Sequence, residues 1–386
     1  MFKDRLISLK GEDLLRTLRT AEFGGGVKAF IAGRPCTQFC TNDYLGLSHH
    51  PDVTAAVRAA VDETGFGAGS APLIAGHTRY HKELREYLAR FKGSETALLF
   101  GSGYLANVGI IPALAGEGDV ILSDSLNHAS IIDGCRLSRA DVKVYRHADP
   151  SSLEASLKSC GGYKRRWVVT EGVFGMDGEV APLPDILHIA GTRDAGVIID
   201  DAHATGTIGK TGRGTLEHFG LEPGDGVIQM GTLGKALGSY GAFVAGTRVV
   251  IDWLVNSARS FMFSTALPPA ACAAAIASLR VIERQPERTA LLRKNADHLR
   301  SSLLQAGFKV LGDGTPIVPL IMGSAHDAVK LASSLMDAGY YAPAIRPPTV
   351  PEGMSRLRFT VSSLHTADDI EGLVEALLPS PPAGEG

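Results

Sequence analysis

The 386-residue sequence predicts an α/β protein with a large, mainly parallel-sheet domain and a smaller α+β C-terminal domain. From about residue 50, short apolar runs such as TALLF, DVILSD and RWVVTEG alternate with helical segments, which is typical of a parallel sheet covered on both faces. After STALPP the pattern changes to a long helix, about 266–305, followed by strands and a last helix. We expect an N-terminal helix and hairpin segment over 1–45, a large domain over 46–275, a small domain over 276–379 and a disordered tail over 380–386.

Local patterns predict the elements in chain order. The leucines of DLLRTLRT share one side of a short helix over 11–22, and AFIAG with CTQFCTN predicts a hairpin. PDVTAAVRAAVDETG and RYHKELREYLARFKG are helical, TALLF is a buried strand, and LANVGIIPALAG is helical again. The sheet continues with DVILSD, VKVYRH, RWVVTEG, GVIIDDAH, GVIQMGTL and GAFVAG. The strands of the small domain are KVLGDG, IVPLIM and SRLRFTV.

Composition and charge exclude several classes of protein. A formal charge of -3 gives no electrostatic reason to expect nucleic acid or an anionic membrane as a partner. The first residues mix both charge signs without an apolar signal core, and the most apolar segment, STALPPAACAAAIASL, is short and contains two prolines. The five cysteines form no CxxC pair and show no metal-like spacing with histidine. We therefore expect reduced thiols, no metal site and a cytoplasmic location.

The segment TALLFGSGYLAN combines a strand, a glycine turn and a helix N-terminus, which together place backbone N–H groups around a phosphate. It also matches GxGxxA through Gly101, Gly103 and Ala106, but no acidic residue stands at a convincing dinucleotide spacing. The segment favours a phosphate cradle for an unspecified ligand. The alternative is a turn that only packs its helix against the sheet.

The strand GVIIDDAH ends in Asp200, Asp201 and His203. A carboxylate at the end of a buried strand is costly unless it meets a cation or a hydrogen-bond donor. Because no further ligands stand at metal-like spacing nearby, a protonated heterocycle is favoured over a metal ion. A carboxylate that caps the next helix is an equally strong alternative for Asp201 and a weaker one for Asp200.

Lys235 lies in the glycine-rich turn of MGTLGKALG. The phosphate-loop pattern fails, because only two residues separate Gly231 from Gly234 and Ala236 follows the lysine. Such a turn partly desolvates the amine, which a Schiff-base lysine requires. A solvated surface lysine is the ordinary alternative, but no other charged residue occurs over 226–247.

The phosphate cradle, Asp200 and Lys235 form one chemically coherent set. They predict pyridoxal 5'-phosphate (PLP) as the cofactor. Asp200 would pair with the pyridinium nitrogen and strengthen the electron sink, while Lys235 would hold the aldehyde.

Eight segments in order resemble the α-oxoamine synthases, fold-type I PLP-dependent transferases that condense an amino acid with an acyl thioester and lose CO2. The resemblance covers about residues 10–378 and rests on NDYLGLS, FGSGYLAN, LNHASIIDG, TEGVFGMDGEVAPL, DDAHATGTIG, GTLGKALG, FSTALPP and IRPPTVPEGMSRLRFTVSSLHT. Within the family, IRPPTVPEG points to the branch that joins L-alanine to a pimeloyl thioester. The resemblance implies a homodimer with shared active sites.

The resemblance also implies a role for each matching residue. Lys235 matches the lysine that holds the cofactor and then removes the α-proton of the amino acid. Asp200 matches the partner of the pyridinium nitrogen, and His203 the donor to the phenolic oxygen. His128 matches the histidine that stacks on the ring, although a capping or core histidine is the alternative.

Further contacts follow from the same motifs. The implied cofactor contacts are Ser102, Gly103, Tyr104, Gly175, Thr232, Ser264 and Thr265. Of these, Ser264 and Thr265 match residues that reach the phosphate of the neighbouring subunit. The implied substrate contacts are Arg16, Asn42, His128, Arg346, Thr349 and Arg358. Arg358 matches the arginine that clamps the amino-acid carboxylate, and Arg346 is a partner for an anionic acyl or CoA group.

Two positions depart from the family pattern. Gly175 stands where the family usually has a serine that contacts the cofactor, so His203 is expected to hold the phenolic oxygen alone. Pro72 replaces an arginine in a loop near the acyl-thioester entrance. The acyl chain, and its delivery by CoA or by a carrier protein, therefore stay open.

Three alternative functions also stay open. The first is another α-oxoamine synthase, of the 2-amino-3-ketobutyrate CoA ligase, 5-aminolevulinate synthase or serine palmitoyltransferase type. The second is a non-catalytic partner subunit of the same fold, although such subunits lack the lysine that stands here at 235. The third and most distant is a nucleotide-binding protein built on the GSGYLA turn.

Overall fold

The computed structural model describes residues 2–378, so the tail predicted over 380–386 lies outside the described residues. The strands, in chain order, are β1 (Ala21–Phe23), β2 (Lys28–Ile31), β3 (Arg34–Gln38), β4 (Thr96–Phe100), β5 (Val120–Asp124), β6 (Asp141–Tyr145), β7 (Arg166–Glu171), β8 (Ala195–Asp200), β9 (Val227–Thr232), β10 (Ala242–Gly246), β11 (Ile317–Gly323), β12 (Tyr340–Tyr341), β13 (Ala344–Ile345) and β14 (Ser355–Thr360). The helices are α1 (Phe2–Gly11), α2 (Pro51–Thr64), α3 (Arg79–Lys92), α4 (Gly103–Leu114), α5 (Ala129–Ser138), α6 (Pro150–Lys158), α7 (Leu183–Gly191), α8 (Thr215–His218), α9 (Arg248–Ser257), α10 (Arg259–Met262), α11 (Pro269–Arg284), α12 (Glu287–Gln305), α13 (Ala325–Asp337) and α14 (Ala367–Leu377).

The chain forms two compact units. Unit 1 contains 2–46, 176–179 and 290–378 of the described chain, and unit 2 contains 47–175 and 180–289. The N-terminal segment therefore belongs to the same unit as the C-terminal elements. The division lies after Thr289 rather than after residue 275, because α11 packs against α2 and α3 within unit 2.

Unit 2 is built on a seven-stranded sheet in the order β4-β10-β9-β8-β7-β5-β6. Neighbouring strands are parallel except at β10, which is antiparallel to both β4 and β9. All strands predicted for the large domain lie in this sheet. The predicted mainly parallel architecture is confirmed.

Alternate residues of the central strands face opposite layers of unit 2. Val169 and Ile198 pack in one core with residues of α4 and α5, whereas Val168, Val197 and Ile199 pack in the other with residues of α6 and α7. Because both faces are covered, these strands carry continuous apolar runs instead of alternating ones. Their carboxyl ends meet at one edge of the sheet, where open α/β folds bind ligands.

Unit 1 contains two small sheets and confirms the predicted α+β class. The order is β1-β2-β3-β12 in one and β11-β14-β13 in the other. The predicted hairpin corresponds to β2 and β3, whose register pairs Ile31 with Arg34. Of the three predicted strands, KVLGDG is wrong, because it makes only a single bridge, between Val310 and Leu320.

Two helix predictions are also wrong. The helix expected over 11–22 is absent, because α1 ends at Gly11 and Asp13 adopts a left-handed conformation (φ 55°) that stops it. The helix expected over 266–305 is divided into α11 and α12. Pro286 has no N–H to donate and disfavours a helical conformation at Gln285, which has φ -127° and ψ 61°.

Within residues 2–378, no helix is both long enough and apolar enough to cross a membrane.

A buried ion pair joins two helices of unit 2 to the end of β8. Lys92 Nζ, at the end of α3, lies 2.8 Å from Asp201 Oδ2, and the two side chains are 0% and 1% exposed. Asp201 also accepts hydrogen bonds from the backbone N–H of Thr215 (3.1 Å) and from its hydroxyl (2.6 Å), at the start of α8. Asp201 therefore caps the next helix, which is one of the two roles that the sequence analysis considered for it.

We predict that Lys92→Met destabilises the protein by about 3–5 kcal/mol, because it leaves a buried carboxylate without its cation. Urea unfolding of the apoprotein measures the effect. Lys82→Met is the matched control, since Lys82 lies on the same helix, is exposed and pairs with Glu86 only at 4.0 Å, so that its loss costs at most about 0.5 kcal/mol. Equal unfolding midpoints for the two variants would contradict the prediction.

Candidate active site

A cavity opens at the carboxyl edge of the sheet of unit 2. It encloses about 520 Å³, including its opening to solvent. Its walls are formed by Gly103, Tyr104, His128, Ser130, Glu171, Asp200, Ala202, His203, Met230, Thr232 and Lys235. The structure thus brings together most of the residues that the sequence singled out in this unit, including all four of the predicted catalytic set.

Asp200 is the buried carboxylate of this cavity. Its Oδ2 accepts a hydrogen bond from Asn107 Nδ2 (2.8 Å), and its Oδ1 accepts one from the N–H of Ala202 (2.9 Å). Burial raises the pKa of Asp200, while the charge of Lys235 and the Asn107 hydrogen bond act in the opposite direction. A protonated ring nitrogen in the cavity would offset the cost of burying this charge.

Lys235 lies in a tight turn directly after β9. Its Nζ is 2.6 Å from Nε2 of His203, and its carbonyl accepts the N–H of Gly238 (2.8 Å). Gly238 has a φ of 55°, and a Cβ there would collide with the backbone of Leu47 and Ser48. The turn therefore requires glycine at 238, and it holds the lysine amine beside the histidine ring.

His128 both caps a helix and lines the cavity, two roles that the sequence analysis gave as alternatives. It is the N-cap of α5, with Nδ1 accepting the N–H of Ser130 (3.2 Å), and its side chain also lines the cavity. Burial lowers the pKa of His128 and Lys235 lowers it further, while Asp200 opposes them. The lowered pKa favours the neutral ring, and acceptance of the Ser130 N–H by Nδ1 leaves the proton on Nε2.

The N-terminus of α4 forms another wall of the cavity. Ser102 is its N-cap and accepts the N–H of Leu105 (3.2 Å), and Gly103 and Tyr104 are the first helical residues. The first N–H groups of a helix have no intrahelical acceptor, so this end suits an anion. Thr232 also lines the cavity, and its hydroxyl donates to the carbonyl of Gly241 (3.0 Å).

Gly175 lies next to His203. Its N–H donates to Glu171 Oε2 (3.0 Å), and a Cβ at this position would lie 2.6 Å from His203 Nε2. Any side chain at 175 would therefore force the His203 ring to move. This clearance gives a physical reason for the glycine that replaces the usual serine.

Two predicted cofactor contacts lie elsewhere in unit 2. Ser264 and Thr265 follow α10 and line a different cavity, together with His81 and Arg85. The structure does not place them among the residues around Lys235.

The predicted substrate residues of unit 1 form two groups. In the first, Arg16 donates to the carbonyls of Arg346 (3.3 Å) and Pro347 (3.0 Å) and to the Thr349 hydroxyl (3.5 Å). Arg346 in turn donates to the carbonyl of Asp13.

The second group is connected through a buried tyrosine. Arg358 donates to the Tyr44 hydroxyl oxygen (3.5 Å), and that hydroxyl donates to Asn42 Oδ1 (3.2 Å). The guanidinium and the amide that the sequence assigned to the substrate are therefore neighbours.

Sequence reasoning missed Glu171, Asn107, Ser130 and Tyr44. Glu171 ends an apolar strand, RWVVTEG, as Asp200 does, so the same argument applied to every strand end would have found it. Asn107 is a lone amide in the apolar helix GYLANVGIIPAL, which is a weaker signal. Ser130 and Tyr44 show no local pattern, and only tertiary contacts reveal their positions.

Comparison with known proteins identifies the family of this chain. The sequence profile of the aminotransferase class I and II family matches residues 34–377. The 8-amino-7-oxononanoate synthase of Methylococcus capsulatus is 46% identical over 378 residues, which cover 98% of this chain and 97% of the relative.

Two solved structures show the same fold. A serine palmitoyltransferase from S. paucimobilis with bound PLP-myriocin aldimine is 30% identical, with a TM-score of 0.92 over 97% of this chain and 95% of that one. An 8-amino-7-oxononanoate synthase from Francisella tularensis is 30% identical, with a TM-score of 0.78 over 89% of this chain and 96% of that one. The chain therefore belongs to the aminotransferase class I and II family, within the α-oxoamine synthases that its motifs resemble.

Proposed function

We propose that this protein catalyses the PLP-dependent decarboxylative condensation of L-alanine with a pimeloyl thioester, giving 8-amino-7-oxononanoate, CO2 and a free thiol in biotin biosynthesis. The observation that carries the proposal is the cavity of unit 2, where Lys235, His203, Asp200 and His128 lie together. The near full-length similarity to an 8-amino-7-oxononanoate synthase supports this choice of substrates.

The residues around the cavity fit PLP. Asp200 offers a buried carboxylate to a ring nitrogen, the His128 ring offers a flat face, and the N-terminus of α4 offers N–H groups to a phosphate. Lys235 offers the amine that would hold the aldehyde, with Thr232 nearby in the wall. Bound PLP supplies the electron sink that stabilises negative charge on the α-carbon of the amino acid.

Lys235 and Asp200 transfer the α-proton and stabilise the charge on the cofactor ring, respectively. Lys235 Nζ is the base that takes the α-proton of alanine, and its position 2.6 Å from His203 Nε2 fixes the direction of the amine. Burial raises the pKa of Asp200, and a protonated ring nitrogen beside it would stabilise its anionic form. Its hydrogen bonds to Asn107 and Ala202 hold the carboxylate in place without neutralising it.

The residues of unit 1 recognise the substrates. Arg358 binds the carboxylate of alanine through its two-pronged guanidinium, and Tyr44 and Asn42 orient that group. The group formed by Arg16, Arg346 and Thr349 binds the anionic acyl donor, delivered by CoA or by a carrier protein.

The enzyme acts as a cytoplasmic homodimer with shared active sites. In support, Ser264 and Thr265, the residues that resemble contacts to a neighbouring phosphate, line a cavity other than the one around Lys235. The helix α1 has no buried residue, and Phe2, Leu6 and Ile7 are exposed on it. A second copy would cover such apolar side chains.

Lys235→Ala is expected to abolish covalent capture of the cofactor and to lower kcat by at least about 10³-fold, because the variant loses both the anchor and the base. Borohydride reduction followed by mass spectrometry measures the capture. Lys210→Ala is the control, since Lys210 is an exposed lysine of the same unit. Borohydride-stable PLP on the Lys235→Ala protein would contradict the assignment.

Asp200→Asn and Asp201→Asn are expected to separate catalysis from stability. Asp200→Asn removes a charge that is costly to bury, so the apoprotein keeps its Tm while kcat of the PLP-loaded enzyme falls by about 10²-fold or more. Asp201→Asn breaks the ion pair with Lys92 and lowers Tm. Thermal unfolding and steady-state kinetics of both variants test this prediction. A lower Tm with unchanged kcat in Asp200→Asn would show that Asp200 stabilises the fold and does not take part in catalysis.

The choice of substrates is tested by a panel of alanine, glycine and serine against pimeloyl, acetyl, succinyl and palmitoyl CoA, with pimeloyl carrier protein included. We expect free thiol and 8-amino-7-oxononanoate, detected by mass spectrometry, from alanine with a pimeloyl thioester. Turnover with glycine or serine alone would assign the protein to another α-oxoamine synthase. A wild-type protein that does not bind PLP would favour a non-catalytic subunit.

A further inference from the structure

Glu171 is a second buried carboxyl group in the cavity. It ends β7 in register with Asp200 at the end of β8, and its side chain is buried. Its Oε2 accepts the N–H of Gly175 (3.0 Å), and its own N–H donates to Asn127 Oδ1 (3.1 Å), directly before His128. Glu171 is therefore bonded to two segments, one at Asn127 and one at Gly175.

The two bonded segments lead to different walls of the site. The bond to Asn127 holds the residue before His128, whose ring lines the cavity and caps α5. The bond to Gly175 fixes the backbone that leaves room for the His203 ring, which contacts Lys235.

Burial and the neighbouring Asp200 favour the neutral form of Glu171. Burial raises the pKa of Glu171 to about 8, and the neighbouring Asp200 raises it as well. The N–H of Gly175, the charge of Lys235 and the N–H of His128 oppose this shift. Two adjacent carboxylates repel each other in a dry site, so the pair favours binding one proton.

We propose that Glu171 is a positioning residue of the cofactor site: its carboxyl group holds the backbone at Gly175 and thereby keeps the His203 ring in place beside Lys235. The cofactor named here rests on the proposed function. The anchoring role does not, because the hydrogen bonds belong to the protein alone.

The test compares Glu171→Gln, Glu171→Ala and a control, Val169→Ala, in the wild-type background. Glutamine keeps an acceptor oxygen without a charge, alanine removes the acceptor, and Val169→Ala removes buried side-chain volume from the same strand without touching the cavity. The readouts are the Kd of the apoenzyme for PLP and the visible absorption of bound PLP as a function of pH.

Glu171→Gln is expected to bind PLP within about twofold of the wild type with an unchanged spectrum at pH 7. Glu171→Ala is expected to raise the Kd by about tenfold or more and to shift the spectral titration, because the buried N–H of Gly175 loses its acceptor. Val169→Ala should lower Tm and leave both readouts unchanged. If Glu171→Gln is impaired as strongly as Glu171→Ala, the charge matters rather than the hydrogen bonds, and the proposal is overturned.

A second measurement uses only the apoprotein. A carboxyl group whose pKa is raised in the folded state binds more protons folded than unfolded, so the contribution of Glu171 to stability falls with rising pH between the ordinary value of 4.5 and about 8 and then levels off. Glutamine does not titrate. The Tm of Glu171→Gln minus that of the wild type should therefore increase from pH 5 to pH 8 and stay constant above; a difference independent of pH would contradict the raised pKa of Glu171.

The two proposals fail in different ways. Failure of the wild-type protein to bind PLP would rule out the proposed function. The pH dependence of the apoprotein's Tm would still report the protonation of Glu171. Wild-type protein that binds PLP, together with a Glu171→Ala variant that binds it equally well, would overturn the role of Glu171 alone.

Discussion

The buried carboxylate of Asp200 is the constraint on which the rest of the site depends. An anion at the end of an interior strand must be compensated, and the protein does this from several elements at once. Asn107 of α4 donates to both Asp200 and the Ser130 hydroxyl, which in turn lies 2.8 Å from His128 Nδ1. The carboxylate that would face a ring nitrogen is thus connected to the histidine that would face the ring.

The consecutive residues Asp200 and Asp201, at the end of β8, have different functions. Asp201 pairs with Lys92 and caps α8, so its charge is satisfied by the fold. Asp200 is held by neutral donors and sits in the cavity, so its charge is available to a ligand. The difference arises because successive residues of an extended chain face opposite sides.

Much of the fold was predictable because its signals are local. Continuous apolar runs predicted the strands of the large sheet, and the rule that ligands bind at carboxyl ends placed Asp200 and Lys235 in one cavity. The predictions failed where a single residue overrode a pattern, as Asp13 and Pro286 did for two helices.

The sequence did not reveal the groups that hold the site together. Asn107 and Glu171 act across strands and helices, through hydrogen bonds between residues distant along the chain. The assignment of the N-terminal segment to unit 1 likewise depends on strand pairing, since β3 pairs with β12. Such pairings have no local signature.

The clearance between Gly175 and His203 couples two positions of the site. With the ring where it stands, position 175 has room only for a hydrogen atom on its α-carbon. A serine can be introduced at 175 only together with a new orientation of His203, and that orientation would alter the histidine's contact with Lys235. A substitution at 175 therefore acts on the lysine indirectly, through the imidazole ring that both residues adjoin.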